Sequence, residues 1–196
     1  PKGRGMTGAQ LPVQTPFERL TVRQALSRYA GITVRGDESL PEMRALSESI
    51  GCQVGGAAGW DDIFFQIFLD KVEPHLGTQR PTFVSDWPLP LAALARPKPH
   101  EPLTVERFEL YAAGLELANA FGELCDPVEQ RARFVAEAEL RRQQGKAVYP
   151  VDEKLLAALA HMPPTCGVAM GFDRLVMLGT GAPSIRQVLA FADDEI

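Results

Sequence analysis

A chain of 196 residues, 45% apolar and 23% charged, is long enough for one domain with its own hydrophobic core. Its net charge of -5 argues against a surface that grips tRNA or DNA mainly through phosphates, since such surfaces are ordinarily basic. It holds no apolar run of about 18 residues and no secretory h-region at its start, so neither a membrane span nor export is expected, and a cytoplasmic location is.

Residues 1–15 are rich in Gly, Pro and Gln without periodicity and read as a flexible leader. Residues 16–196 read as one domain. Thr21 can cap a helix to about Tyr29, with Val22, Ala25, Leu26 and Tyr29 on one face. A second helix fits Pro41 to Ile50, stopped by Gly51. A third fits Asp61 to Leu76, with Ile63, Phe64, Ile67, Phe68 and Val72 at helical spacing. These three read as a helical layer packed on a sheet. Pro81–Asp86 looks like a strand, and the proline-rich run Trp87–Pro102 like a loop. Glu106–Tyr111 alternates charged and apolar residues, as a strand with one wet face does. Gly114–Phe121 continues as a strand. Asp126, Pro127 and Glu129 together mark a helix start, and that helix should run to about Gln144. Asp152–Met162 reads as a helix, Thr165–Met170 as a buried strand, and Phe172–Leu178 as a helix. A helical turn near Ser184 and an apolar tail, Val188–Phe191, end the chain. Helices followed by antiparallel strands interleaved with helices make an α+β domain. Cys52, Cys125 and Cys166 show no CxxC pair, and His75, His100 and His161 show no paired spacing. Neither a disulfide framework nor a transition-metal site is expected.

Two segments carry the candidate chemistry. In Gly114–Glu123, two carboxylates, an amide and an aromatic ring lie in mostly apolar chain. On a regular strand Glu116 and Ala118 point one way, and Leu115, Leu117 and Asn119 the other, unless a bulge intervenes. Such carboxylates need a cation, and a nucleotide-bound Mg²⁺ or an amino-acid ammonium would serve. A pair of edge-strand glutamates facing water is the alternative. In Cys166–Arg174, a strand of small residues turns at Gly171 into a helix that begins with Asp173 and Arg174. Small residues allow close approach of a flat ligand, and a guanidinium can stack on adenine or meet phosphate. Tight packing alone is the alternative.

Taken together, GLELANAFGEL and, about fifty residues later, GVAMGFDRLVML resemble the C-terminal half of the lysyl branch of the class II aminoacyl-tRNA synthetases. GFDR is similar to that class's motif 3. The likeness also takes in TPFERLTV, PTFVSDWP and ERFELY. It implies an antiparallel sheet flanked by helices that binds ATP, Mg²⁺ and lysine. Carried over, it implies that Glu116 and the Leu117 backbone bind ATP and Mg²⁺, with Glu123 as a second metal-binding carboxylate. Asn119 and Glu123 would hold the lysine, Phe121 would wall its pocket, Gly171 would line the adenosine site and Arg174 would clamp ATP. Glu116 and Arg174 are the residues nearest the chemistry. Ala169, in place of a glycine, would narrow the amino-acid pocket. That residue, the ending APSIRQVLAF and the compact Leu40–Gly77 insertion resemble the branch member that joins lysine or β-lysine to elongation factor P. A lysyl-tRNA synthetase fragment, or a synthetase-like module that binds without turnover, are the alternatives. A homodimer is implied for the full-length protein. No F-R-x-E run of motif 2 occurs and no motif 1 is found, so these residues read as the C-terminal part of the catalytic domain. The expected result is no lysine- or β-lysine-dependent ATP–pyrophosphate exchange by the purified 196-residue chain; robust exchange by it would remove that expectation.

Overall fold

The computed structural model describes residues 15–56 and 58–192, so the leader expected over residues 1–15 lies outside them except for Thr15. The described residues form a six-stranded sheet with helices against it, the expected α+β class. Strand β1 (Glu18–Thr21) leads directly into α1 (Val22–Ala30). Thr21 and Gln24 form a reciprocal capping box, and Gly31 ends α1 in the left-handed conformation. Helix α2 (Leu40–Ser49) starts on a second box, Ser39 with Glu42. Helix α3 covers Trp60–Ile67, then widens into a π-helical turn over Phe68–Val72 and tightens into a 3-10 turn over Glu73–His75. The single helix expected over Asp61–Leu76 is therefore three consecutive helical forms. The change keeps Phe68 and Val72 buried while turning Glu73 toward the sheet.

Strand β2 (Thr82–Pro88) runs two residues past its expected end, with a bulge at Asp86. The proline-rich stretch is not one loop. It holds a 3-10 turn (Leu89–Leu91), the short β3 (Pro97–Lys98) and the first residues of β4 (Glu101–Ala112). The prolines fall where no ladder N–H is needed. Strand β5 (Leu115–Gly122) pairs with β4, and β6 (Cys166–Met170) pairs with β5. The order is β1-β2-β4-β5-β6, with β3 beside β4. Every pairing is antiparallel except β1 with β2, which is parallel. Helices α4 (Pro127–Gln143) and α5 (Glu153–Leu159) follow β5, and α6 (Phe172–Thr180) follows β6.

The core lies between α1–α3 and the β1-β2-β4 half of the sheet, around Leu26, Met43, Phe64, Phe68, Val84, Trp87 and Tyr111. That is the helical layer expected from the sequence. The far edge of the sheet is more open, although Leu117, Ala118 and Ala120 of β5 are buried. Strand β6, expected to be buried, is an exposed edge: Val168 is 65% and Met170 52% exposed. It has β5 on one side and, among the described residues, no strand on the other. An apolar composition is shared by fully buried strands and by edges that await a partner. Among the described residues no helix is long and apolar enough to cross a membrane.

Candidate functional site

Residues paired across an antiparallel ladder point to the same face, so the register decides which side chains can meet. Arg107 pairs with Phe121, Glu109 with Asn119, and Tyr111 with Glu116. The shift between Leu110 and Tyr111 makes Leu117 an extra residue in β5. That bulge turns Glu116 to the same face as Asn119, where a regular strand would have separated them. Across the other ladder Ala169 pairs with Asn119 and Gly167 with Phe121. Glu116, Asn119, Phe121, Gly167 and Ala169 therefore share one face of β5 and β6, continuous with Arg107, Glu109 and Tyr111 on β4.

The two segments singled out in the sequence meet through their backbones. The Gly171 N–H donates to the Leu117 carbonyl at 2.8 Å, and Arg174 donates to the Glu116 carbonyl at 2.7 Å. The Arg174 guanidinium also lies 3.6 Å from the Glu116 carboxylate. Arg174 projects from the first turn of α6, which Gly171 begins. Glu116, Leu117, Gly171 and Arg174 thus form one end of the site. Phe121 and Glu123 form the other. Glu123 pairs with Ala95, and a Cβ added at Gly167 would collide with its carboxylate, so glycine there gives that side chain room. Glu116 and Glu123 are seven residues apart on extended chain, about 20 Å. One ion cannot bridge them, so the two carboxylates expected to bind metal stand at opposite ends of β5. Among the described residues no group of three or more His, Cys, Asp or Glu is arranged to hold a metal ion.

The charged face of β4, expected to be wet, is the buried one. Glu109 is 5% exposed and the Arg107 side chain 10%. Arg107 donates to one Glu109 oxygen at 2.7 Å and Tyr111 to the other at 2.6 Å. Three polar groups that bond to one another can be buried at less cost than any one alone. Burial pushes the Glu109 carboxyl above the usual carboxylate range, against the pull of the Tyr111 hydroxyl and Arg107, and the Glu116 charge adds to the rise. Burial, and then the Glu109 charge, also raise the Tyr111 phenol.

Glu73 is the second acid that the sequence reading passed over. Burial raises its pKa first and the Glu116 charge second, while Arg174 lowers it. Glu73 and Glu109 thus each lie within electrostatic reach of Glu116. Only Glu109 had a signal in the sequence, an acid at an alternating position in ERFELY. Glu73 arrives through the π-helical turn, which no periodicity announces. Its folded pKa lies above its unfolded one, so its contribution to stability is full below the unfolded value and is lost as pH rises through the folded value. Glu73→Gln should therefore raise stability in metal-free buffer by about 0.5 kcal/mol at pH 8, and the gain should vanish near pH 4. Urea unfolding at both pH values measures this, and a gain of equal size at both would count against a charge effect.

Asn119 Oδ1 is buried without a hydrogen-bond partner among the described residues, and so is Arg107 Nε. Each such orphan costs about 1–3 kcal/mol unless water or a ligand fills it. One is an acceptor and the other a donor, and both belong to residues of the site face.

A family model described as tRNA synthetases class II (D, K and N) matches residues 4–195. A lysine–tRNA ligase of Gloeobacter violaceus is 40% identical over 185 residues, covering 94% of this chain and 37% of the relative. One of Dehalococcoides mccartyi is 44% identical over 178 residues, covering 90% and 35%. One of Thermosynechococcus vestitus is 40% identical over 191 residues, covering 94% and 36%. The chain spans little more than a third of the length of these relatives. With nearly every residue inside the family match, and with GLELANAFGEL and GFDR joined on one sheet face, the chain belongs to the class II tRNA synthetases of the D, K and N type.

Proposed function

We propose that the protein carrying this chain is a lysine–tRNA ligase, and that this chain supplies the lysine pocket and part of the ATP site. The observation that carries the reading is the joining of Arg174 to Glu116, which unites a helix-borne cation with an acidic strand on one sheet face. In this reading lysine lies along β5. Glu123 pairs with one ammonium group, Asn119 Oδ1 accepts from the other, and Phe121 forms the wall between them. Ala169, beside Asn119, limits the width of the pocket. Gly171 and the Leu117 backbone border the adenosine, and Arg174 meets phosphate.

The lysine carboxylate attacks the α-phosphorus of ATP, pyrophosphate leaves, and the acceptor then attacks the lysyl carbonyl as AMP departs. Side chains of this chain act by positioning and by charge; no covalent enzyme intermediate is needed. The acidic end of β5 fits a Mg²⁺–ATP complex, because the Glu116 carboxylate is partly exposed and lies beside the Arg174 guanidinium. Glu116 is the residue that would hold the ion, which when bound neutralises phosphate charge. The relatives named above are lysine–tRNA ligases, which favours tRNA over elongation factor P as the acceptor. The bare apolar edge of β6 suits further strands of the same sheet, on which the rest of the ATP site would stand.

The test is lysine-dependent ATP–pyrophosphate exchange by the complete gene product, followed by transfer to lysine tRNA and to elongation factor P in parallel. Exchange with lysine and charging of tRNA are expected. Preference for β-lysine with transfer only to elongation factor P would overturn the choice of acceptor, and no exchange with either amino acid would overturn the reading.

A further inference from the structure

We propose that Arg107 is a positioning residue of the amino-acid pocket, holding the Phe121 ring and the Glu109 carboxylate in place and tying both to the Leu89–Leu91 turn. This rests on the functional reading above and extends it to a residue that the motifs do not include.

The Arg107 guanidinium lies 4.4 Å from the Trp87 ring centroid and 5.5 Å from that of Phe121. Phe121 is its cross-strand partner and Trp87 belongs to the core, so the cation is a spacer between core and pocket wall. Its N–H groups work in two directions: one donates to the Glu109 carboxylate at 2.7 Å, another to the Leu91 carbonyl at 2.9 Å. A planar, delocalised cation can stack on rings and donate in its own plane at once; the point charge of lysine cannot. The side chain is 10% exposed, so its rotamer is fixed by packing on every side. A residue kept only to fill space would not carry a charge here. A residue kept only to neutralise Glu109 would not need the rings. Both features together fit a part that sets the position of two neighbours.

The consequence is a prediction about which substrate is affected. Phe121 and Asn119 border the lysine, and Glu109 stands directly across the ladder from Asn119. Arg174 and Gly171, on the nucleotide side, bond instead to the carbonyls of Glu116 and Leu117. Loss of the guanidinium should therefore weaken lysine binding and leave ATP binding nearly as it was.

The experiment uses the complete gene product with Arg107→Lys, Arg107→Met, Phe121→Leu and the Arg107→Lys/Phe121→Leu pair. ATP–pyrophosphate exchange is measured against lysine and against ATP, with circular dichroism as the folding control. Both Arg107 variants should raise the lysine KM about tenfold or more, with the ATP KM within about twofold. The double variant should raise it by less than the product of the two single effects, because Arg107 acts through Phe121. Near-normal lysine KM in Arg107→Met would make Arg107 mere packing and overturn the proposal. So would equal rises in both KM values, additive effects with Phe121→Leu, or unfolding of both Arg107 variants. An inactive wild type would overturn the functional reading and this proposal with it; an active wild type with unaffected variants would overturn the proposal alone.

Discussion

Gly77→Ala is expected to cost about 3 kcal/mol of stability, more than a change of one methyl group ordinarily does. Two costs add. Gly77 has φ +65°, where a side chain is strained by about 1 kcal/mol. The second cost is steric. A Cβ there would lie 2.6 Å from the Tyr111 carbonyl carbon and 2.7 Å from the Ala112 Cα and N. All three are backbone atoms of a central strand, which cannot swing aside, so one of the packed segments must move at about 1–3 kcal/mol. The place matters as well. The Gly77 carbonyl accepts from the Ala113 N–H at 2.7 Å, pinning the end of the helical layer to the β4–β5 turn. Tyr111, which holds Glu109, is the residue the new methyl would push. Gly31→Ala separates the two costs, since Gly31 also has positive φ, +70°, but open space where its Cβ would be. Urea unfolding of the 196-residue chain should show a loss of about 1 kcal/mol at Gly31 and about three times that at Gly77. Equal losses would mean that the close approach costs nothing.

How much of this could be read from the sequence depends on how local its cause is. Caps are local, and Thr21, Asp126 and Asp152 each start a helix within a residue of where the sequence put it. Fold class was legible for the same reason. Burial is not local. The charges of ERFELY alternate as on a wet strand, but Arg107 and Tyr111 both bond to Glu109, and the three lie largely buried. The apolar CGVAM strand reads as buried yet forms an edge, because what covers a strand is decided elsewhere in the chain. The site shows both limits. Glu116, Asn119, Phe121 and Ala169 could be named from the motifs, but their common face depends on one extra residue at Leu117. A bulge has no reliable composition, so the sequence permits it without requiring it. Glu73 comes from a distant helix through a π-helical turn, and Arg107 looks like any alternating charge until its two rings are seen.

Arg174→Ala should lower lysine-dependent exchange by the complete gene product about 10²–10³-fold while hardly changing stability. Two observations separate these effects. The Arg174 side chain is 46% exposed and its ionic partner Glu116 38%, so their 3.6 Å pairing is worth little to the fold. Its shorter bond, 2.7 Å, is to the Glu116 carbonyl, which the bulge at Leu117 turns toward α6. The guanidinium is thus held by backbone at one end and left open at the other, ready for an anion. A pre-placed cation at the point where phosphate charge develops acts on the rate rather than on folding. Arg174→Lys keeps the charge but loses the planar fork, so it should recover only a small part of the lost rate. Glu116→Gln leaves the carbonyl bond to Arg174 intact and removes one carboxylate from the Glu73–Glu109–Glu116 group. Its mark should be a higher Mg²⁺ requirement rather than a higher lysine KM. Exchange measured across Mg²⁺ concentrations, beside thermal unfolding, distinguishes the two roles. If Arg174→Ala loses rate only in proportion to lost stability, the cation is a structural tie between β5 and α6. If Glu116→Gln shifts the lysine KM instead, the acidic end of the strand belongs to the amino acid and the division of the site along β5 is wrong.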